Sequence, residues 1–374
     1  MIRWGRRLEY GCAVPVSQGQ RLERPFLTRL GLGQHNDRPI FMGGCPRSGT
    51  TLLTAMLHAH PELAMPPETR FVVESYQRRA QFGDLRDEAN RRAVGDWIVG
   101  TKKTRFADLQ LDRERTAALV AAAPPTIGSL SGAVLREVAA RNGKRRWGDK
   151  RPKHVQHIRL IFRLFPDAQF IHLIRDARGC TASLKKLGWW GYEAPDALLL
   201  WRRSVESGIR AREFLRPDQY LELRYEDLVT DPVSQLQRVC AFLGTPFSPA
   251  MLQHHESGEK LIDKPYHERV YRPIDHASLQ TWRDVLEPAE LALVEKKAGN
   301  LLDEFGYPRL EGLPKVGKAL EQRYTARVKR RAKSAEKAKR RQAKQHAVYS
   351  QPVAARLTSG QRRLYWLLRL TRRA

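Results

Sequence analysis

The stretch Pro39-Ile-Phe-Met-Gly-Gly-Cys-Pro-Arg-Ser-Gly-Thr-Thr-Leu-Leu53 joins an apolar run to a glycine-bearing loop and then to the start of a helical pattern. The pattern predicts a buried strand over 40–44, a tight loop over 45–49 and a helix from Thr50 to His60. In such a unit, backbone N–H groups and the positive end of the helix dipole converge on an anion. The segment therefore predicts a phosphate-binding loop.

The glycines of this loop, Gly44 and Gly49, have the spacing of a nucleotide-binding P-loop, but the lysine of that motif is missing. Thr50 and Thr51 occupy the positions of the lysine and of the hydroxyl residue after it, and Arg47 lies within the loop. Kinases and NTPases use that lysine, together with Mg²⁺, on the β- and γ-phosphates. A loop with an arginine and hydroxyls suits a phosphate-bearing donor that reacts without a metal.

A second strand–helix junction is predicted in Ala168-Gln-Phe-Ile-His-Leu-Ile-Arg-Asp-Ala-Arg-Gly-Cys-Thr-Ala-Ser183. The apolar run Phe170–Ile174 is too short for a helix and favours a buried parallel strand. Arg175 follows at its carboxyl end, where ligands bind in open α/β sheets. Asp176 is a candidate N-cap for the next helix, which places Ser183 about two turns along it. Two anion sites on two junctions indicate a donor with two separated phosphate groups.

Both motifs resemble those of the sulfotransferases that use PAPS (3′-phosphoadenosine 5′-phosphosulfate). The segment Cys45–Thr51 is similar to the 5′-phosphosulfate loop of that family, and Arg175–Ser183 is similar to its 3′-phosphate motif. The resemblance covers about residues 37–310 and implies PAPS as the donor, with no metal ion. The residues that it implies for donor binding are Arg47, Ser48, Gly49, Thr50, Thr51, Arg175 and Ser183.

Glu68, in Pro66-Pro-Glu-Thr-Arg-Phe71, is the best candidate for a general base. A carboxylate suits a hydroxyl acceptor, and the proline pair turns the chain so that it can return towards the donor loop. The Glu-Thr-Arg string resembles that of the tyrosylprotein sulfotransferases. That resemblance implies that Glu68 is the catalytic base and that Arg70 orients the glutamate or the acceptor. The alternative is a glutamate that only caps or solvates a helix.

Lys150, in Trp147-Gly-Asp-Lys-Arg-Pro152, resembles the family lysine that contacts the bridging oxygen of the phosphosulfate. A cation there would neutralise charge that develops on the leaving group. Without a metal, this task would fall to Arg47, Lys150 and backbone N–H groups. The alternative is an ordinary exposed lysine. The tyrosylprotein enzymes also place a lysine just before a later tryptophan, whereas this chain has Thr281 there, and Arg272 is a candidate replacement.

Strands alternate with helices along the chain, which predicts an α/β fold with a P-loop-like, doubly wound parallel sheet flanked by helices. We predict an N-terminal extension (1–36), a sulfotransferase domain (37–312) whose residues 70–145 are mostly helical, and a basic C-terminal tail (313–374) that is helical or disordered. The four cysteines lack the spacing of a metal site or a disulfide framework, which indicates a reduced, cytoplasmic protein.

The formal net charge of +27 is concentrated in the tail, where residues 315–374 contain 19 Lys and Arg against two acidic residues. A solvated or disordered tail is the simplest interpretation. Docking on an anionic membrane surface is the second, because Leu357–Leu370 mixes leucines and a tryptophan with arginines. Non-specific nucleic-acid binding is the third. The expected location is cytoplasmic, at most peripheral to the inner membrane face.

Three functions are compatible with the sequence. The leading hypothesis is a sulfotransferase that moves the sulfuryl group of PAPS in line to a hydroxyl of a protein tyrosine, a carbohydrate or a lipid, with a glutamate base. The second is a P-loop-like nucleotide or phosphate-transfer enzyme without the usual lysine, which leaves Arg175 and Ser183 unexplained. The third is a binding module that acts through its basic tail. The sequence does not determine the acceptor or the oligomeric state.

Overall fold

A five-stranded parallel sheet, in the order β2-β3-β1-β4-β5, organises the part of the chain that the computed structural model describes, residues 38–187, 192–256, 270 and 272–349. The strands are β1 (Ile40–Gly44), β2 (Leu63–Ala64), β3 (Arg146–Lys150), β4 (Gln169–Ile174) and β5 (Tyr220–Arg224). From β1 the chain builds β2 and β3 on one side of this strand and then crosses to build β4 and β5 on the other side. The switch point of the topology therefore lies at β1. This confirms the predicted doubly wound α/β fold.

Helices cover both faces of the sheet. They are α1 (Thr50–Ala59), α2 (Phe71–Arg78), α3 (Glu88–Gly100), α4 (Arg113–Ala122), α5 (Ile127–Arg141), α6 (Ile158–Leu164), α7 (Ala177–Lys185), α8 (Ala194–Arg212), α9 (Tyr225–Thr230), α10 (Pro232–Leu243), α11 (Pro288–Glu304) and α12 (Lys318–Tyr349). Short 3₁₀ helices include Pro152–His157, directly after β3. The predicted helical character of residues 70–145 is confirmed by α2–α5.

The two central strands are buried on both faces, as their near-continuous apolar sequences predict. Phe41 and Phe170 pack into a layer that includes residues of α2–α6. Ile40, Met42 and Ile171 pack into an opposite layer with residues of α1 and α10. Strands β1 and β4 are therefore packed between two apolar layers, which fixes the positions at which the loops at their carboxyl ends begin.

Strand β3 was not predicted, because its sequence Arg-Trp-Gly-Asp-Lys is polar and yet all five residues are buried. Arg146, at its first position, is 1% exposed. Its guanidinium donates to the carbonyl oxygens of Arg38 (2.9 Å) and Leu243 (2.6 Å) and to Gln169 Oε1 (2.8 Å). Each of these hydrogen bonds joins β3 to a different part of the chain, so the buried charge is satisfied and ties the amino ends of the strands together.

We expect Arg146→Ala to lower the free energy of unfolding by about 2–5 kcal/mol, because it leaves several buried acceptors without their charged donor. The neighbouring Arg145→Ala is the matched control. Arg145 is exposed and lies 3.4 Å from the Glu62 carboxylate, so its loss should change the free energy by less than about 1 kcal/mol. Urea denaturation of both variants measures the difference, and equal midpoints would contradict the structural role of Arg146.

Candidate active site

The loop after β1 leads into the N-terminus of α1, which has no side-chain cap. Gly49 has φ +91°, and a Cβ atom at this position would lie 2.2 Å from the ring of Tyr225, so only glycine fits. Gly49 is also the N-cap residue of α1 and offers no side-chain cap to the first N–H groups of the helix. Arg47 has φ +75°, and the Ser48 N–H donates to the Cys45 carbonyl at 3.0 Å. The turn thus presents a helix N-terminus to a negatively charged ligand.

Three hydroxyl residues of the predicted donor loop line this turn. Ser48 is fully buried, and its Oγ has no hydrogen-bond partner among the residues that the structure describes. Thr50 is buried and Thr51 half-buried, in the first turn of α1. Buried hydroxyls are normally hydrogen-bonded, so a buried Oγ inside a phosphate-type loop indicates a group that a ligand satisfies.

The junction after β4 brings the predicted 3′-phosphate residues against the first loop. Arg175 Nη1 donates to the carbonyl oxygen of Arg47 at 3.1 Å, and Arg47 Nε donates to Ser183 Oγ at 3.0 Å. Ser183 lies in the second turn of α7, whose N-cap residue, Asp176, accepts the Arg178 N–H. Arg47 was expected at the 5′-phosphosulfate, and its guanidinium lies beside the 3′-phosphate residues. The structure therefore brings Arg47, Arg175 and Ser183 into one cluster.

Tyr225 and Glu226, at the junction between β5 and α9, contact the residues of this cluster and of its junction. The Arg175 guanidinium lies 4.5 Å from the centroid of the Tyr225 ring, the same ring that faces Gly49. Glu226 accepts the backbone N–H of Asp176 at 3.0 Å and the hydroxyl of Tyr307 at 2.8 Å. Burial raises the pKa of the Glu226 carboxyl, and these hydrogen bonds oppose that shift. Tyr225 and Glu226 therefore act by packing and hydrogen bonding on both anion loops.

Glu68 and Lys150 lie together at the carboxyl end of β3. Glu68 Oε2 is 3.9 Å from Lys150 Nζ, and Glu68 Oε1 is 3.8 Å from Arg151 Nε. Lys150 is only 2% exposed, so it is not an ordinary surface lysine. Glu68 does not cap a helix either, because the N-cap residue of the next helix, α2, is Arg70. Arg151 was not singled out from the sequence, where only its position next to Lys150 would have indicated it.

A cationic rim surrounds Glu68. Burial lowers the pKa of Lys153, and the charges of Arg151, Arg70 and Arg331 lower it further. Burial also lowers the pKa of Arg151, and the charge of Glu68 opposes that shift. Arg70 Nε is buried and has no hydrogen-bond partner within the described part of the chain. This rim can therefore accept an anionic group close to Glu68.

Other predicted features fall outside this cluster. Arg272 is exposed, and the aromatic and basic segment Leu357–Leu370 lies outside the described residues, as does the extension 1–36. Within residues 38–187, 192–256 and 272–349, no cluster of three or more His, Cys, Asp or Glu side chains could bind a metal ion. None of the described helices combines the length and apolar character needed to cross a membrane.

Comparisons with known proteins place the chain in one family. The sequence profile described as the Sulfotransferase family matches residues 39–249, from β1 to the end of α10 and beyond. Protein-tyrosine sulfotransferase A of Caenorhabditis elegans is 27% identical over 290 residues, which are 75% of this chain and 70% of that protein. Protein-tyrosine sulfotransferase 1 of Danio rerio is 27% identical over 278 residues, 71% of this chain and 69% of that protein.

Solved structures agree with this assignment. The sulfotransferase domain of the olefin synthase from Synechococcus PCC 7002 superposes with a TM-score of 0.51 at 26% identity, covering 74% of this chain and 97% of that domain. The sulfotransferase domain from the curacin biosynthetic pathway has the same fold, with a TM-score of 0.51 at 22% identity, covering 74% of this chain and 99% of that domain. Since the family profile spans more than half of the sequence, including the junctions after β1 and β4, the chain belongs to the sulfotransferase family.

Proposed function

We propose that the protein transfers the sulfuryl group of PAPS to the hydroxyl of a tyrosine in a polypeptide. The observation that carries the proposal is the convergence of three groups at the carboxyl ends of adjacent parallel strands. These are the Glu68–Lys150 pair at β3, the open loop 45–49 at β1, and Arg175 at β4. The curated relatives named protein-tyrosine sulfotransferases support the tyrosine acceptor.

In this proposal the donor spans the two junctions. The 5′-phosphosulfate lies on loop 45–49 and on the N-terminus of α1, where the hydroxyls of Ser48, Thr50 and Thr51 can donate to its oxygens. The 3′-phosphate lies at Arg175 and Ser183, with Arg47 between the two subsites because it already contacts both of these residues. The planar guanidinium of Arg175 suits a phosphate that is bound by two parallel hydrogen bonds.

The reaction is an in-line displacement at sulfur. The acceptor oxygen attacks the sulfur atom, a new O–S bond forms, and the S–O bond to the 5′-phosphate breaks, so that adenosine 3′,5′-bisphosphate leaves. Glu68 takes the proton of the acceptor hydroxyl as general base. Lys150, 3.9 Å from Glu68, supplies a positive charge to the phosphate oxygen on which negative charge develops. The base and the leaving-group cation thus lie side by side.

Two alternatives remain as outcomes of the tests. Family membership favours sulfuryl transfer over the P-loop-like phosphate-transfer enzyme, and the Arg47–Arg175–Ser183 cluster gives the second anion site a role that such an enzyme leaves unexplained. A carbohydrate or lipid hydroxyl would use the same donor site and the same base, because only the acceptor side of the cleft would differ.

The donor site predicts that Arg175→Ala weakens binding of adenosine 3′,5′-bisphosphate by roughly 10- to 100-fold, the value of a lost charge-assisted pair. Arg175→Lys should fall between, because it keeps the charge and loses the planar fork. The control is Arg216→Ala, an exposed arginine at the opposite end of β5, which should bind like the wild type. The measurement is calorimetric titration in EDTA. Absence of wild-type binding, with binding of ATP and Mg²⁺ instead, would overturn the PAPS assignment.

The base assignment predicts that Glu68→Gln lowers kcat by about 10²- to 10⁴-fold while the affinity for adenosine 3′,5′-bisphosphate stays unchanged. Glu74→Gln is the control, because Glu74 also acts electrostatically on Arg151 but lies on α2. Turnover is measured with PAPS and tyrosine peptides, and in parallel with glycan and lipid acceptors. Full activity of Glu68→Gln would refute the base role. Sulfation of a glycan or lipid alone would refute the tyrosine acceptor.

A further inference from the structure

A buried polar chain of three residues lies behind the Glu68–Lys150 pair. Thr69 Oγ1 donates to Asp149 Oδ1 at 3.1 Å, and His154 Nε2 is 2.8 Å from Asp149 Oδ2. Thr69 and Asp149 are 0% exposed and His154 is 1% exposed. Each oxygen of the Asp149 carboxylate is thus engaged by a different side chain, one from the segment before α2 and one from the 3₁₀ helix after β3.

Two of these three hydrogen-bonded residues are sequence neighbours of Glu68 and Lys150. Thr69 follows Glu68 in the sequence, and Asp149 precedes Lys150. Residues 65–70 belong to no helix or strand, so the position of Glu68 depends on the few hydrogen bonds that hold this segment. One is the bond from the Arg70 N–H to the Thr104 carbonyl (3.1 Å), and another is the bond from Thr69 to Asp149.

His154, at the other end of this set of hydrogen bonds, is held against the sheet. Arg151 N–H donates to the Met42 carbonyl on β1 at 3.2 Å, and His154 N–H donates to the Arg151 carbonyl at 2.8 Å. The His154 ring meets the Phe41 ring edge-on, with centroids 5.7 Å apart. His154 is therefore held by backbone and packing, and it holds Asp149 in turn.

The hydrogen bond between His154 and Asp149 indicates which ring nitrogen of His154 carries a proton. In this arrangement the Asp149 carboxylate accepts and the His154 Nε2–H donates, which assigns a ring proton to Nε2. His154 Nδ1 is buried and has no hydrogen-bond partner among the described residues. A buried carboxylate is expensive in a protein core unless its oxygens are bonded. The Asp149 carboxylate is bonded to Thr69 and precedes Lys150 in the sequence.

We propose that Asp149 is a positioning residue for sulfuryl transfer: held by His154, it grips Thr69 and so sets the position of Glu68 relative to Lys150. The proposal rests on the proposed function, in which Glu68 is the base. Asp149 is fully buried, so in this proposal it acts through the length and direction of its hydrogen bonds to Thr69 and His154. A displacement of the base by about 1 Å is enough to cost on the order of 100-fold in rate.

The test removes the Thr69 hydroxyl and keeps the shape of the side chain. We expect Thr69→Val to lower kcat by about 10- to 100-fold, with KM for PAPS and affinity for adenosine 3′,5′-bisphosphate within about twofold of the wild type. Thr69→Ser restores the hydroxyl and should recover most of the rate. The control is Thr116→Val, because Thr116 is nearly as buried and donates its hydrogen bond to the Asp112 carbonyl at the start of its own helix, α4.

Stability and structure separate positioning from a merely structural role. Thr69→Val should lose about 1.5–3 kcal/mol of folding free energy, because it leaves an oxygen of the buried Asp149 carboxylate without a donor, whereas Thr116→Val should lose about 1 kcal/mol or less. A fall in kcat that is confined to Thr69→Val, measured at a temperature where both variants are fully folded, therefore supports positioning. Asp149→Asn is a second variant, but Thr69→Val keeps the test valid if Asp149→Asn does not fold. Crystal structures of wild type and Thr69→Val with adenosine 3′,5′-bisphosphate should show a longer Glu68–Lys150 separation in the variant.

The outcomes distinguish the two proposals. A wild-type protein that transfers sulfate to none of the acceptors would overturn the proposed function, and the crystal structures would still decide whether Thr69 positions Glu68. An active wild type with an equally active Thr69→Val and an unmoved Glu68 would overturn the positioning role alone. Loss of activity in Thr116→Val to the same extent would also overturn it, because the loss would then reflect stability.

Discussion

Strand β1 is paired in parallel with β3 on one side and with β4 on the other, with Met42 opposite Lys150 and Gly44 opposite Leu173. This register brings the carboxyl ends of three strands to one edge of the sheet. Lys150, loop 45–49 and Arg175 therefore lie at the same edge, since each is at or just beyond the carboxyl end of its strand. A shift of either pairing would separate the groups that the chemistry needs together.

The same edge concentrates positive charge. Arg47 and Arg175 are in contact through the Arg47 carbonyl, and burial lowers the pKa of Arg151 and of Lys153 nearby. Cations that are held close together and partly buried destabilise one another, and an anionic ligand relieves that repulsion. In the proposed function, a donor with two phosphate groups relieves this repulsion, so charge as well as shape contributes to the selection of the donor.

Buried polar groups hold the architecture at both ends of the sheet. Arg146 ties the amino ends of the strands, and Asp149, three residues later on the same strand, lies beside the proposed base. Glu226 likewise accepts the backbone N–H of Asp176, at the junction after β4. Each has at least one partner from a distant part of the chain, so each contributes specificity as well as stability: these hydrogen bonds form only when the segments are correctly registered.

The doubly wound fold and the two strand–helix junctions could be predicted from the sequence, because a strand, its connecting turn and the following helix lie within about fifteen residues and depend on local backbone chemistry. The contacts between the junctions could not be predicted in this way. Arg47 meets Ser183 across 136 residues, and Thr69 meets Asp149 across 80. Strand β3 escaped prediction for the same reason, since its polar residues are buried only because distant segments supply their hydrogen-bond partners, and no local pattern encodes such partners.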